Sequence, residues 1–241
     1  MVWRCDVGGL LMMTSRFLAL AAVSVFLGSI TRGAEEGGGV VPLFDGKTLT
    51  GWEQHSGAAE YRVEDGVIVG KTVPNTGNSF LTTSKKYGDF ILELEFKVAP
   101  GMNSGIQFRS LFYEKETEVE IDGKKKKFPA DRVHGYQFEI DPSPRAWTGG
   151  VYDEGRRGWL FDLKAKPEAG KAFKQDAWNK ARIECKGDSI KTFINDVPAA
   201  DLTDGLTKEG VIALQVHGIG KKAEGAGKEV MWRNIRIKEL K

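Results

Sequence analysis

The stretch from His134 to Trp159 concentrates polar, aromatic and glycine residues beyond what a β-framework requires. Successive side chains of a strand point to opposite faces, so Gln137, Glu139 and Asp141 would share one face. The apolar residues between them would share the other face and enter a core. Two carboxylates and an amide are then free to meet a ligand.

Two other segments carry a similar polar set, Gln107 with Arg109 and Gln215 with His217. Amides, arginine, carboxylates and histidine repeated across strands suit the concave face of a curved sheet. Planar polar groups pair with sugar hydroxyls, and an aromatic wall covers the C–H face of a sugar ring. The candidates for this wall are Trp147, Tyr152 and Trp159. The pattern predicts a shared carbohydrate-binding face.

Each candidate also has a structural interpretation. Arg109 could bridge Glu139 or Asp141 as an ion pair, and His217 could bond to backbone beside a glycine. Asp141 precedes a proline, which favours a turn-capping role for it. His134 starts a strand after a charged loop and is less informative, but it stays a binding candidate.

The histidines and carboxylates could hold a divalent metal, but no HxH or HExxH spacing supports one. The sequence therefore requires no cofactor, and the metal question stays open.

Composition describes an ordinary globular chain, with a net charge of +2 over 241 residues and 41% hydrophobic content. The first 33 residues account for that +2, so the remainder is neutral. A neutral remainder gives no support for a nucleic-acid partner.

Residues 1–33 resemble an export signal. Arg16 precedes the apolar run Phe17–Ile30, and small residues stand before a cut at Ala34. The run is shorter than the roughly 20 residues of a spanning helix, although an uncleaved anchor is the alternative. We expect an exported protein, periplasmic or extracellular, without stable membrane insertion after cleavage. Residues 34–39 would be a linker and residues 40–241 a single domain.

Short strands separated by Gly, Asp and Asn turns dominate the remaining chain. Phe90–Val98 alternates apolar and polar residues with period two, which a helix would not produce. Glu114–Lys127 is interpreted as a solvated hairpin turning at Asp122 and Gly123. Pro142–Gly158 is expected to be a rim loop that selects substrate, and Lys164–Gln175 is the one place for a brief helical turn or long loop. We predict an all-β sandwich or jelly roll of two antiparallel sheets.

Several motifs agree, in order, with a known family. They are LFDGKTLTGW near the start, NSGIQFR at 103–109, GYQFEID at 135–141, TGGVYDE at 148–154, and GVIALQVHG with WRNIRI at the end. Over about residues 41–240 the chain resembles the 3-keto-disaccharide hydrolase domain family. The resemblance implies a concanavalin-like, laminarinase-like jelly roll and cleavage of glycosides already oxidised at C3.

That chemistry is physically sensible, because a C3 ketone acidifies the proton at C2 and permits elimination at C1 followed by hydration. The resemblance places Glu139, His217 and Arg109 in the site without fixing their roles. Our hypothesis is that Glu139 or His217 is the base or acid and that Arg109 stabilises the enolate oxygen. The amides Gln107, Gln137 and Gln215 would orient hydroxyls. The expected partner is an oligosaccharide or glycoside, and the oligomeric state is unknown.

Two alternatives stay open at this point. Glu139-Ile140-Asp141 is similar to the first half of the E-x-D-x-x-E signature of laminarinase-type glycoside hydrolases, but the last glutamate is missing. A non-catalytic carbohydrate-binding module would use the same polar face for affinity alone.

Overall fold

The computed structural model describes residues 38–241, apart from the side chain of Ala223. The predicted signal at residues 1–33 and the linker residues 34–37 lie outside the described residues. Within residues 38–241, no helix is both long and apolar enough to cross a membrane.

The described residues form seventeen strands, one α-helix and one short 3-10 helix. The first nine strands are β1 (Val41–Pro42), β2 (Trp52–Ser56), β3 (Glu60–Glu64), β4 (Val67–Lys71), β5 (Ser79–Tyr87), β6 (Phe90–Val98), β7 (Ser104–Leu111), β8 (Thr117–Ile121) and β9 (Lys124–Phe128). Next come β10 (His134–Ile140), β11 (Val151–Glu154), β12 (Gly158–Phe161), the helix α1 (Pro167–Ala172) and β13 (Asn179–Lys186). The last elements are β14 (Ser189–Ile194), β15 (Val197–Thr203), β16 (Gly210–Val216), the 3-10 helix (Ala223–Gly225) and β17 (Glu229–Glu239).

The strands build two large antiparallel sheets. Sheet I has the order β15-β14-β13-β6-β17-β4-β3, with β1 added along β17. Sheet II has the order β12-β11-β10-β7-β16-β5-β2, and β8 pairs with β9 in a separate hairpin. The predicted all-β sandwich of two antiparallel sheets is confirmed, and α1 lies inside the segment expected to form a brief helical turn or long loop.

The two sheets pack face to face through their apolar sides. The period-two strand β6 buries every second side chain, as its sequence predicts. Its Phe96 meets Phe138 of sheet II edge to face, with ring centroids 6.2 Å apart. Trp232 of β17 is also fully buried in this core. The face of sheet II that turns away from sheet I is therefore left to polar groups.

Four strands were not predicted, namely β1, β2, β5 and β11. β5 contains the run Thr82–Lys86, whose polar residues hide the alternation of the strand. β11 lies inside the stretch 142–158, which we expected to be a loop. β11 extends sheet II by pairing with β10, so part of that predicted loop is a wall of the sheet.

The central strand β7 departs from regular geometry at Arg109. Its φ angle is 45°, and the register with β10 and with β16 shifts close by. A β-bulge of this kind turns a side chain away from the face to which regular strand alternation would assign it. Arg109 consequently leaves the face that carries Gln107.

The fully buried guanidinium of Arg109 ties together the ends of both sheets. It donates to the carbonyl oxygens of Gly88 and Gly187, each at 2.8 Å, and pairs with Asp89 at 2.7 Å. The prediction that Arg109 lies beside Glu139 is therefore wrong. The expected ion pair of Arg109 with Glu139 or Asp141 is also wrong, because Arg109 pairs with Asp89. Strand alternation had placed it on the polar face, which the bulge prevents.

Replacement of Asp89 by alanine should destabilise the fold. The guanidinium of Arg109 would lose the carboxylate with which it pairs, and the Gly187 amide would lose its acceptor. We expect the free energy of unfolding, measured by urea denaturation, to fall by about 2–4 kcal/mol.

The matched control is Asp201→Ala, because Asp201 is 67% exposed and pairs with Lys191 at 3.3 Å. Its loss should stay within about 0.5 kcal/mol. Similar losses for the two variants would contradict the structural role of Asp89.

Candidate active site

The polar face of sheet II is built around β10. All seven residues of β10 are buried, and its even-numbered apolar residues from Tyr136 onward belong to the core. Gln137 and Glu139 therefore project from the opposite face, which we call the site face. The site face of sheet II carries Gln107, Gln137, Glu139, Tyr152 and Gln215.

Antiparallel register decides which of these side chains are neighbours. Gln137 lies opposite Gln107 on one side and Tyr152 on the other. Glu139 lies opposite Gly105, and Gly105 lies opposite Gln215. Directly opposed residues have Cβ atoms about 4.5–5.5 Å apart, so side chains remote in sequence meet on this face.

A cleft with a volume of 240 Å³ opens over Glu139. Five predicted site residues line it, namely Gln137, Glu139, Tyr152, Trp159 and His217. Three residues that the sequence reasoning did not propose as site residues also line it, namely Asn103, Arg145 and Glu154.

The carboxylate of Glu139 is only 5% exposed and is hydrogen-bonded on both oxygens. Asn103 Nδ2 donates to Oε1 at 2.7 Å, and Gln137 Nε2 donates to Oε2 at 2.6 Å. The pKa of Glu139 is raised to about 7, mainly because burial penalises the charged form. The two hydrogen bonds lower the pKa, whereas the charges of Asp141 and Glu154 raise it. A carboxyl group with this pKa can both take and return a proton near neutral pH.

Behind Glu139 the hydrogen bonds continue away from the cleft. Gln107 Nε2 donates to Gln137 Oε1 at 2.5 Å, and Ser110 Oγ donates to Gln107 Oε1 at 2.8 Å. Gln107 and Ser110 are fully buried. The predicted substrate residue Gln107 therefore supports Gln137 from behind rather than lining the cleft.

One wall of the cleft combines aromatic rings with a cation. Trp159 packs edge to face on Tyr152 and on Trp147, with centroids 5.3 Å and 4.8 Å apart. The guanidinium of Arg145 lies 5.6 Å from the Trp159 ring centroid and donates to Asp141 at 2.9 Å. Trp147 thus backs Trp159 and does not itself line the cleft.

The predicted turn role of Asp141 agrees with its contacts. Its Oδ1 accepts from the backbone amide of Ser143 at 3.1 Å, and its other oxygen accepts from Arg145. Asp141 is buried and is absent from the cleft lining. Its carboxylate holds Arg145 in place, so the expected direct contact between Asp141 and a sugar is not supported.

The rim of the cleft contains Glu154 and His217. Glu154 Oε1 accepts from Arg132 at 2.6 Å and from Asn78 at 3.2 Å. His217 follows the last residue of β16, is exposed, and contacts the Gly218 carbonyl through Nδ1 at 2.9 Å. The backbone contact expected for His217 is present, and its ring still faces the cleft.

His134 and Gln215 lie away from the cleft. The ring of His134 stacks on Phe128 with centroids 3.7 Å apart, and burial is the main cause that lowers its pKa to about 3. Gln215 is fully buried, and neither side-chain polar atom has a hydrogen-bond partner among the described residues. Neither residue can reach a ligand in the cleft, contrary to the prediction.

A metal centre has little support in the part of the chain that the structure describes. No group of three or more His, Cys, Asp or Glu side chains is arranged there to hold a metal ion. The cleft instead offers amide donors, one cation and two carboxylates.

The comparison with family models decides the relationship of this chain. The model of the 3-keto-alpha-glucoside-1,2-lyase-like domain matches residues 39–238. The chain belongs to this family. A curated relative, a 3-keto-disaccharide hydrolase of Bacteroides thetaiotaomicron, is 26% identical over 245 aligned positions, covering 84% of this chain and 79% of the relative. The resemblance predicted from the sequence motifs is confirmed.

Solved structures show that this lyase-like family member has a common β-sandwich fold. A Bacillus subtilis protein of unknown function with a galectin-like fold matches at a TM-score of 0.57 and 11% identity, over 85% of this chain and 97% of that one. A provisionally described glycosyl hydrolase of Parabacteroides distasonis matches at 0.55 and 19%, over 84% and 94%. The carbohydrate-binding module CBM66 of B. subtilis matches at 0.51 and 17%, over 77% and 93%. Identities this low support the fold alone.

The family motifs contained signals for the residues that were missed. Asn103 begins the NSGIQFR motif and Glu154 ends TGGVYDE, yet both lie outside the strand alternation on which the prediction rested. Asn103 directly precedes β7, so its direction depends on a loop. Arg145 stands in no quoted motif, and only its turn with Asp141 brings it to the cleft of this lyase-like domain.

Gly105 makes room for the Gln137 side chain. A Cβ atom at this position would lie 2.3 Å from Cδ of Gln137. In Gly105→Ala the amide of Gln137 must therefore move, and Glu139 should lose a donor that stabilises its charged form. We expect the pKa of Glu139, measured by carboxyl carbon NMR, to rise by about one unit.

The control variant is Gly77→Ala, where an added Cβ would meet nothing within 4 Å. It should leave the pKa of Glu139 unchanged. An unchanged pKa in Gly105→Ala as well would show that Gln137 does not tune Glu139.

Proposed function

We propose that this chain cleaves glycosides whose sugar carries a ketone at C3, with Glu139 as the general base. The observation that carries the proposal is the buried carboxyl group of Glu139, whose pKa is raised to about 7 in a cleft with aromatic walls. Membership of the lyase-like family and the curated relative support this substrate class. If the predicted export signal operates, the enzyme acts in the periplasm or outside the cell.

The proposed reaction starts with transfer of the C2 proton to Glu139. The electron pair of the broken C2–H bond forms an enolate with the C3 carbonyl. This pair then makes a C1–C2 double bond while the C1–O bond breaks, and the leaving oxygen keeps that bond's electrons and takes a proton. Water adds back with its hydroxyl on C1 and a proton on C2, which gives the free 3-keto sugar.

Side chains around Glu139 suit the other tasks of this reaction. Arg145, rather than Arg109, supplies the cation that stabilises the enolate oxygen, because its guanidinium lines the cleft. Trp159 and Tyr152 form the wall against the sugar ring. Gln137 and Asn103 hold Glu139 and leave their remaining amide hydrogens for hydroxyls.

A second cavity, of 330 Å³, continues from the first and shares Asn103 and His217 with it. Met102, Ile219 and three glycines contribute to its lining, so it is less polar than the cleft over Glu139. We place the leaving group there, which puts His217 at the boundary between sugar and leaving group. His217 is then the proton donor to the leaving oxygen.

The first test is Glu139→Gln, which keeps the shape of the side chain but replaces one acceptor oxygen by an NH₂ group and removes the base. Turnover of 3-keto-glucosides should fall by about 10²–10⁴-fold while sugar affinity persists. In the unmodified protein, kcat/KM should rise with pH through about 7, because only the ionised carboxylate accepts the proton.

Glu118→Gln, in the exposed hairpin strand β8, is the control and should keep full activity. The proposal fails if Glu139→Gln keeps its turnover, or if the unmodified protein leaves every 3-keto-glycoside intact. Affinity without turnover would favour a binding module, and cleavage of unoxidised glucans would favour a conventional glycoside hydrolase.

A second test separates the role of His217. His217→Ala should slow cleavage of a 3-keto-disaccharide by about 10²-fold, because its sugar alkoxide must be protonated as it leaves. Cleavage of a nitrophenyl 3-keto-glucoside should change little, because nitrophenolate leaves without a proton.

Lys221→Ala, an exposed residue of the same loop that does not line the second cavity, is the matched control and should leave cleavage of both substrates nearly unchanged. Equal losses with the two leaving groups would contradict proton donation by His217.

A further inference from the structure

A continuous set of hydrogen bonds runs from the buried hydroxyl of Ser110 to the carboxylate of Glu139. Its links are Ser110 to Gln107 at 2.8 Å, Gln107 to Gln137 at 2.5 Å, and Gln137 to Glu139 at 2.6 Å. Gln107, Ser110 and Gln137 are at most 2% exposed. Water therefore cannot easily replace any member of this set, which we call the amide chain.

The ionised carboxylate determines the direction of the whole amide chain. A carboxylate only accepts, so Gln137 must present its NH₂ group to Glu139 and its carbonyl to Gln107. Gln107 must then present its own NH₂ group to Gln137 and its carbonyl to Ser110. The hydroxyl of Ser110 is left as the terminal donor.

When the proton of neutral Glu139 sits on Oε2, the oxygen that faces Gln137, this requirement reverses, because that O–H is a donor. If both amides rotate by half a turn, Glu139 donates to Gln137, Gln137 to Gln107, and Gln107 to Ser110. The hydroxyl of Ser110 then needs another acceptor, and two carbonyl oxygens are in reach, that of Tyr136 at 3.2 Å and that of Phe108 at 3.3 Å. Each link of the amide chain thus has one donor and one acceptor in both directions.

We propose that Gln107 and Ser110 are positioning residues whose hydrogen bonds reverse direction, together with Gln137, when Glu139 takes up a proton. Only the proton that binds Glu139 changes place. The amides rotate and the hydroxyl turns, and no proton travels along the chain.

This proposal rests on the proposed function in one respect, since the proton on Glu139 would come from the substrate. A base buried this deeply needs a hydrogen-bonded environment in both protonation states, because an unsatisfied buried polar group is costly. The reversal supplies that environment without any water. The other titratable or charged groups beside Glu139 are Asp141, Arg145, Tyr152, Glu154 and His217.

Gln107→Leu tests the reversal through the pKa of Glu139, measured by carboxyl carbon NMR without substrate. In this variant the ionised state leaves only the Gln137 carbonyl without a partner. In the reversed, protonated state the NH₂ group of Gln137 would face the leucine side chain that replaces Gln107 and would have no acceptor. An unpaired N–H group costs more than an unpaired carbonyl. We therefore expect the pKa of Glu139 to fall by about one unit.

A fixed amide chain predicts the opposite sign. If Gln137 always donates to Glu139, loss of Gln107 weakens that donor, and the pKa rises or stays unchanged. Either of these results would overturn the proposal. The measurement needs no catalysis, so an inactive protein would refute the proposed function and leave this test intact.

Ser110→Ala provides a second, smaller change with the same expected sign, should Gln107→Leu fold poorly. The matched control is Thr82→Val, because Thr82 carries a buried hydroxyl in the same cross-strand row, and this hydroxyl donates to the Glu53 carbonyl, outside the amide chain. The control should leave the pKa of Glu139 unchanged. A fall in the control equal to that in Ser110→Ala would also overturn the proposal.

The side-chain amide signals give an independent readout. In the unmodified protein, the chemical shifts of the Gln107 and Gln137 side-chain amides should change with pH at the same midpoint as the titration of Glu139. In Glu139→Gln the chemical shifts of these two amides should not change with pH. The amide of Asn179, which is buried in sheet I and donates to the Lys174 carbonyl, serves as the internal reference. If the chemical shift of the Gln107 amide changes with pH no more than that of Asn179, the reversal is contradicted.

Discussion

The carboxylate of Glu139 is the group around which the site is arranged, because a buried charge is stable only when hydrogen bonds replace its water. Strand alternation supplies Gln137 from the same strand, two residues away, and the loop before β7 supplies Asn103. Burial, and to a smaller extent two nearby carboxylates, oppose that stabilisation and leave the pKa of Glu139 near neutrality. Packing and register therefore determine the acidity of Glu139, not the local sequence alone.

Two features of β7 make this arrangement possible, a glycine at position 105 and a bulge at Arg109. Gly105 has no side chain, which lets Gln137 lie over the strand towards Glu139. Arg109 has a positive φ angle, which removes a large cation from the site face and commits it to Asp89. Strand β7 thus makes room in the site at Gly105 and connects the ends of both sheets at Arg109.

The sequence was informative where a regular repeat controls side-chain direction. Alternation predicted β6 and the shared face of Gln137 and Glu139, and Asp-Gly pairs predicted the hairpin turns. Alternation could not predict the direction of the Arg109 side chain, because a positive φ at a residue other than glycine has no reliable sequence signal. Asn103 and Arg145 lie beyond strand ends, where direction depends on tertiary contacts rather than on a period.

The site face also shows why a polar pattern overpredicts a binding site. Gln215 shares this face with Glu139 and stands one strand beyond Gly105. The segment between β7 and β10 folds over that part of the sheet, where Phe112 packs with Phe80 and Val133. The same face is therefore covered over β16 and β5 but open over β10 and β11. Alternation identifies which side chains can leave the core, whereas the inserted segment decides which of them meet solvent.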